Sequence, residues 1–234
     1  MADVSRETLA TPDPIVLSAI FPSDRLPLLE AYAALLATEG VTRGLIGPRE
    51  VPRLWERHLV NCGLLAPLVP VEATVADLGS GAGLPGLVLA IARPDLRVTL
   101  VEPMARRVVF LDEACGRLGL EGVEVVRERA EQWTRDLRFD VVTARALAAL
   151  PKLLGWAMPL VADGGALLAM KGSSAAEEIS AAEAELRRWR AHAEVVTSSV
   201  PGSSTTTVVR VVRGPAPGIG WGASKAGRRR GGRA

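Results

Sequence analysis

The sequence feature that most constrains the fold is the stretch at residues 75–86, which holds four glycines in twelve positions. Its apolar beginning predicts a buried strand, and the residues from Asp77 onward predict a tight turn that leads into a helix. Glycine suits such a turn because it adopts positive φ and lets the backbone approach a bulky ligand. The four glycines are Gly79, Gly81, Gly83 and Gly86. This strand–turn–helix pattern predicts a binding site for a nucleotide-containing cofactor.

From residue 73 the pattern predicts strands and helices in alternation, which implies a parallel sheet with right-handed crossovers and helices on both faces. The predicted strands are 73–78, 97–101, 123–126, 139–144 and 165–170, and the predicted helices are 85–92, 104–118, 129–137, 147–160 and 175–191. Two last strands, 193–198 and 205–212, are joined only by a Pro-Gly-Ser-Ser loop and predict an antiparallel hairpin. The predicted fold is therefore α/β, a class I (Rossmann-like) methyltransferase fold with a mostly parallel seven-stranded sheet.

The residues on either side of this alternating region predict three further parts of the chain. Helical spacing of apolar residues over 14–21, 24–39 and 48–68 predicts an N-terminal helical cap at residues 14–72. Residues 1–13 are expected to be disordered, and residues 73–213 to form the cofactor-binding domain. Residues 214–234 are rich in glycine and arginine and are expected to form a flexible basic tail.

Two cofactors fit the glycine turn. Residues 81–86 satisfy the pattern G-x-G-x-x-G, and Glu102 follows at the distance of a ribose-binding acid, which suits both NAD and S-adenosylmethionine. However, Asp77 would lie awkwardly beside a pyrophosphate and suits the cationic methionine moiety of S-adenosylmethionine. The additional Gly79 and the terminal hairpin also favour S-adenosylmethionine over NAD. The balance of these features favours S-adenosylmethionine.

The remaining pocket residues follow from topology, because ligands bind beyond the carboxyl ends of the strands in such sheets. Glu102 ends the second predicted strand and is expected to accept hydrogen bonds from the ribose hydroxyls. After the third strand, Ala130 and Glu131 are expected to bracket the adenine, although Glu131 is equally compatible with a surface charge. Arg145 follows the fourth strand and is expected to point into the crevice between cofactor and substrate.

Composition and charge restrict the class of protein and its partners. The two cysteines, Cys62 and Cys115, exclude a disulfide framework and a zinc site, so no metal is expected. The sequence lacks a membrane-spanning run and a signal peptide, which predicts a cytoplasmic protein with no membrane contact. Six of the 28 Lys and Arg residues lie from Arg213 onward with no acids, which leaves 22 bases against 26 acids in the body. A basic tail on a mildly acidic body indicates an anionic partner, with a solubilising tail as the alternative.

Six motifs occur in an order and spacing that resemble the RsmG (GidB) family, bacterial methyltransferases that modify N7 of a guanine in 16S ribosomal RNA. The resemblance covers residues 20–212. The motifs are Trp55-Glu-Arg-His58, residues 77–86, Arg93-Pro94, residues 106–111, Arg145-Ala146 and Met170-Lys-Gly172.

The resemblance implies roles for particular residues and a set of partners. Cofactor contacts are implied at Gly79, Leu84, Ala130, Glu131 and Arg145, in addition to those expected at Asp77, Gly81, Gly83 and Glu102. His58, Arg107 and Lys171 are implied to face the substrate, with no certain catalytic residue. The implied cofactor is S-adenosylmethionine, with S-adenosylhomocysteine as product, and the implied partner is 16S rRNA or the 30S subunit. A monomer is expected.

The chain departs from the family pattern at three places, of which Arg106-Arg107 in place of the usual Lys-Arg pair keeps both charges. Asn61-Cys62 stands where the family commonly has Asp-Ser, and Thr206-Thr207 stands near the last strand where an Arg-His pair is common. The threonine pair argues against an RNA contact at that strand, and the basic tail is the alternative site for such a contact.

Three other classes of protein stay open. A methyltransferase for a small molecule would be expected to have a more apolar cap and no arginine-rich tail. An RNA-binding protein without activity need not retain Asp77, the glycines and Glu102 together. An NAD-dependent oxidoreductase would bind nicotinamide and not S-adenosylmethionine.

Overall fold

The structure is a computed structural model that describes residues 11–133 and 135–214. The predictions of a disordered N-terminus and of a flexible basic tail fall almost entirely outside these residues. Asp13 is described, and its side chain accepts a hydrogen bond from the backbone N–H of Ile15 at 2.8 Å. This contact caps the first helix of the chain.

Seven strands form a single sheet, as the sequence pattern predicts. In chain order they are β1 Thr74–Leu78, β2 Arg97–Val101, β3 Val123–Val126, β4 Phe139–Arg145, β5 Val161–Lys171, β6 Ala191–Ser198 and β7 Thr206–Arg213. Their order across the sheet is β3-β2-β1-β4-β5-β7-β6. β1 to β5 pair in parallel, and β7 pairs antiparallel with both β5 and β6. The strand order therefore reverses between β1 and β4, where such folds bind their ligands.

The N-terminal cap is helical but more irregular than predicted. Its α-helices are α1 Pro14–Ile20, α2 Leu26–Leu35 and the single turn α3 Asn61–Gly63. The helix expected over 48–68 is instead a series of different turns, with a 3-10 segment at Pro48–Arg53 and a π-helical segment at Leu54–Val60 before α3. Pro52 lies inside the first segment and has no N–H to donate, so a regular α-helix cannot run through it.

Five α-helices follow the strands in the described residues, and the helix predicted over 129–137 is only the 3-10 turn Ala130–Gln132. The five α-helices are α4 Gly86–Ala92, α5 Ala105–Leu118, α6 Leu150–Ala157, α7 Ala175–Ala181 and α8 Glu183–Trp189. Gly119 ends α5 in the left-handed conformation, with φ of 61°. The single helix expected over 175–191 is broken at Ala182, which is fully buried, and it ends at Arg190, which is left-handed. Tertiary packing at Ala182 thus overrides a helical sequence pattern.

Two apolar layers cover the two faces of the sheet. Adjacent strand residues alternate between them, so that Val75 lies in one layer and Ala76 in the other. The first layer joins α4 and α5 to the N-terminal cap, and the second contains residues of α6, α7 and α8. Leu36, Leu54 and Leu59 of the cap are 0% exposed. The cap is therefore part of the main hydrophobic core. Full burial of each of these leucines contributes roughly 1.5–3 kcal/mol.

Within the described ranges, no helix is both long and apolar enough to cross a membrane.

Candidate active site

The glycine turn connects β1 to α4 and is shaped by close packing. Gly79, Gly81 and Gly83 all have positive φ, of 67°, 60° and 95°. A Cβ atom at Gly79 would lie 2.6 Å from Leu147 Cδ1, and one at Gly83 would lie 2.5 Å from Leu87 Cδ1. At Gly81 the nearest atom to such a Cβ is a backbone oxygen at 3.8 Å. Gly81 is therefore the glycine of this turn whose open side leaves room for a ligand.

Asp77 lies under this turn and is completely buried. Its Oδ2 accepts a hydrogen bond from the Gly86 N–H at 3.0 Å, and its Oδ1 accepts one from Thr143 Oγ1 at 3.2 Å. A Cβ atom at Gly86 would lie 2.7 Å from Asp77 Oδ2 and would also overlap Leu100 Cδ2, so only glycine fits there. Burial raises the pKa of Asp77 to about 6, although these hydrogen bonds oppose the shift. Asp77 therefore ties the start of α4 to the sheet and places a carboxylate beneath the turn.

Glu102 lies at the carboxyl end of β2 and connects the turn to the start of α5. Its Oε2 accepts a hydrogen bond from the Gly81 N–H at 2.9 Å, and its Oε1 accepts one from the Met104 N–H at 3.0 Å. Arg107 Nη1 lies 3.5 Å from Oε2, so this arginine, implied to face the substrate, lies beside the acid expected to bind the ribose. Each carboxylate oxygen has two lone pairs, which leaves Oε1 able to accept a second hydrogen bond.

A groove with a volume of about 350 Å³ opens at the carboxyl ends of β2 and β3. The single 3-10 turn Ala130–Gln132 borders it, where the adenine is expected. Ala130 is half-buried against the sheet, whereas Glu131 is exposed and lies 3.7 Å from Arg129. Leu84 is half-buried against the first apolar layer. The residues that line the groove are Pro103, Met104, Arg127, Glu128, Arg129 and Gln132.

Arg145 and His58 are brought together by the fold, although 87 positions separate them in the sequence. Arg145 Nη2 lies 2.7 Å from His58 Nδ1, and Arg145 Nη1 donates to Cys62 Sγ at 3.2 Å. On the other side of the imidazole ring, His58 Nε2 lies 2.8 Å from Glu50 Oε2. Arg145 is thus bound to the cap, and both ring nitrogens of His58 have protein partners.

Lys171, at the end of β5, also has protein partners. Its Nζ donates to the Ala148 carbonyl and to Glu178 Oε2, both at 2.7 Å, and its side chain is 11% exposed. The same Glu178 oxygen accepts a hydrogen bond from the Leu150 N–H at 2.7 Å. These contacts fix the loop between β4 and α6, in which Ala146 has a positive φ of 53°. The structure therefore assigns Lys171 contacts within the loop that follows Arg145.

Several residues of the site were not identified from the sequence. Tyr32 in α2 is fully buried and donates a hydrogen bond from its hydroxyl to the Ala82 carbonyl of the glycine turn at 2.7 Å. It is the only tyrosine in the chain, but its helical spacing indicates only a core position. Glu50, Thr143 and Glu178 belong to no motif, and their partners lie 8 to 66 positions away in the sequence.

The described residues fit S-adenosylmethionine. Gly81 has an open side next to the backbone, Glu102 would accept a hydrogen bond from a ribose hydroxyl, and the groove beyond Met104 would hold the base. Asp77 would supply negative charge for the methionine end of the cofactor. When bound, the cofactor supplies an electrophilic methyl group on a sulfonium.

Comparison with known proteins gives consistent matches over most of the chain. A family model (GidB) described as "rRNA small subunit methyltransferase G" matches residues 25–206. Ribosomal RNA small subunit methyltransferase G from Nocardioides sp. is 62% identical over 221 residues, which cover 94% of this chain and 88% of the relative. The protein of the same name from Salinispora arenicola is 50% identical over 241 residues, which cover 96% and 97%.

Solved structures share the fold at low sequence identity. N-methyltransferase NodS from Bradyrhizobium japonicum, in complex with S-adenosylhomocysteine, matches with a TM-score of 0.51 at 17% identity, covering 76% of this chain and 98% of that one. The YcgJ protein from Bacillus subtilis matches with a TM-score of 0.52 at 12% identity, covering 68% and 100%. These likenesses show the fold alone.

The strand order, the glycine turn over a buried acid, and the second acid at the end of β2 define a class I methyltransferase, whose cofactor is S-adenosylmethionine. Within that class, the sequence matches are specific. The chain belongs to the rRNA small subunit methyltransferase G family.

Proposed function

We propose that this enzyme transfers the methyl group of S-adenosylmethionine to N7 of a guanine in 16S ribosomal RNA. The observation that carries the proposal is the hydrogen bond between Glu102 and Gly81, which joins the two parts of a cofactor site. That joined site occurs in a chain whose relatives at 50% and 62% identity are named ribosomal RNA small subunit methyltransferase G.

The chemistry requires little acid–base help from the protein. Guanine N7 carries an exposed lone pair, so the new N7–carbon bond forms as the sulfur–carbon bond breaks, and no proton has to leave. The positive charge moves from sulfur to the base. Catalysis then depends mainly on holding donor and acceptor in line. In agreement with this, Asp77 and His58 both have their polar atoms engaged by protein partners.

Exposed arginines support an RNA substrate over a small apolar molecule. Arg49 and Arg53 lie on the cap segment that precedes His58, and Arg106 lies in the first turn of α5 next to Arg107. All three are exposed, and none forms an ion pair with another residue in the described ranges. Arginines of this kind bind phosphate groups, and such contacts make affinity depend on salt.

A methylation assay tests the proposal. The protein is incubated with cofactor labelled in the methyl group and with either 30S subunits or naked 16S rRNA from cells that lack the modification. Label at one guanine, with the strand-cleavage chemistry specific to N7-methylguanine, is the expected result. The two RNA substrates together decide whether free RNA or the assembled subunit is preferred. Label on another position of the base, or only on a small molecule, would contradict the proposal.

A further inference from the structure

Arg145 is held in one position by the N-terminal cap. It ends β4, and the left-handed Ala146 turns the chain immediately after it. Its guanidinium donates to the Arg57 carbonyl at 3.2 Å and to Cys62 Sγ at 3.2 Å, in addition to its contact with His58. All three partners come from one short cap segment, residues 57–62. The cap therefore determines where the guanidinium lies at the carboxyl edge of the sheet.

His58 accepts a hydrogen bond from Arg145 and donates one to Glu50. A guanidinium can only donate, so His58 Nδ1 must be the acceptor in the 2.7 Å contact with Arg145. The ring hydrogen is then on Nε2, which donates to Glu50 Oε2 at 2.8 Å. Glu50 Oε1 in turn accepts from Arg57 Nη1 at 3.2 Å. The imidazole is therefore neutral, and its tautomer is fixed by a carboxylate on one side and a guanidinium on the other.

The surroundings of His58 support the neutral ring. Its side chain is only 11% exposed, and burial together with the charge of Arg145 lowers the pKa of His58 below its ordinary value. Neither ring nitrogen remains for a substrate. This differs from the substrate contact that the family resemblance implies for His58.

We propose that His58 and Glu50 are positioning residues that act through Arg145, holding its guanidinium at the carboxyl end of β4 where it contacts the bound ligand. The role of Arg145 in ligand binding rests on the proposed function. The position of the guanidinium does not depend on the proposed function, because the contacts with the cap determine it.

Two substitutions at position 58 separate this role from simple packing. The amide of Asn reaches as far as Nδ1 of histidine, so His58→Asn keeps an acceptor for Arg145. The amide of Gln reaches as far as Nε2, so His58→Gln keeps the contact with Glu50 and loses the acceptor for Arg145. We expect His58→Gln to weaken binding of S-adenosylhomocysteine, or to raise the KM for rRNA, by about tenfold. His58→Asn should stay within about threefold of the native protein.

A double-mutant cycle with Arg145→Ala completes the test. If His58 acts through Arg145, His58→Gln has no further effect in the Arg145→Ala background. S-adenosylhomocysteine affinity is measured by calorimetry and rRNA methylation by kcat and KM, with thermal unfolding as the check that each variant folds. The proposal would be overturned if the effects of His58→Gln and Arg145→Ala multiply in the double variant. It would also be overturned if His58→Asn is as impaired as His58→Gln, or if Arg145→Ala changes neither affinity nor methylation. If the native protein methylates no rRNA, the calorimetric cycle alone decides, so the two proposals fail separately.

Discussion

At the scale of single residues, the charge of Asp77 is expected to serve the cofactor at a cost to folding. Burial raises the pKa of Asp77 from its ordinary 3.8 to about 6, so the native state takes up a proton that the unfolded chain does not hold between about pH 4 and pH 6. The free energy of unfolding therefore decreases as pH rises through this window, by about 3 kcal/mol for this group. Asp77→Asn removes the charge and can keep the hydrogen bond from the Gly86 N–H, while its amide NH2 donates to Thr143 Oγ1. We expect it to be at least as stable above pH 6, with this pH dependence lost, and to bind S-adenosylmethionine about tenfold more weakly. Urea unfolding from pH 4 to 8 and calorimetry measure the two effects.

Asp95 provides a control, because its pKa is shifted in the opposite direction to that of Asp77. The hydrogen bonds from Arg93 hold the pKa of Asp95 below its ordinary value, so Asp95→Asn should lower stability at pH 7 and leave cofactor affinity unchanged. An Asp77→Asn protein that loses stability at pH 7 while binding the cofactor normally would contradict this interpretation of Asp77.

At the scale of elements, the cap helix α2 supports the glycine turn from outside the sheet. Tyr32→Phe removes the donor to the Ala82 carbonyl and leaves that oxygen buried without it. We expect a loss of about 1–2 kcal/mol in the free energy of unfolding and a weaker affinity for S-adenosylhomocysteine, because the turn loses its fixed position. Chemical unfolding and calorimetry on the same samples measure both.

Thr38→Ala is the matched control for Tyr32→Phe. Thr38 is exposed and donates its hydroxyl hydrogen to the Ala34 carbonyl in the same cap region. Its removal should change neither quantity by a measurable amount. Equal effects of the two substitutions on cofactor affinity would show that α2 does not act on the turn through Tyr32.

At the scale of the whole molecule, the cofactor and the tail make separable contributions. We expect S-adenosylmethionine to raise Tm and NAD to leave it unchanged, since a ligand stabilises only the state that binds it.

Residues 215–234 lie outside the described residues, and they contain five Lys and Arg residues with no acids. Deleting residues 214–234 should weaken rRNA binding and reduce the dependence of log K on log salt by up to about 3.5, as for contacts to single strands. A full-length protein with these five bases changed to glutamine should behave like the deletion. A deletion that weakens binding without changing the salt dependence would contradict an electrostatic role.

The predictable part of the fold is the part that local sequence determines. The alternation of apolar strands and helices predicts the seven-stranded sheet, and Gly119 predicts the end of α5. The irregular turns between Pro48 and α3 and the break at Ala182 are not predictable in this way. Pro52 and the buried Ala182 impose them through steric and packing effects that the helical pattern does not include.

The sequence by itself determined the glycine turn, the two acids beside it, and hence the cofactor, because positive φ at glycine and residue order along a strand are local properties. Only the tertiary structure decided the partners of Arg145, His58 and Lys171. Their contacts join residues 7 to 88 positions apart. A guanidinium or an ammonium donates to whichever acceptor lies within reach, and the packing of the cap over the sheet determines which acceptor that is.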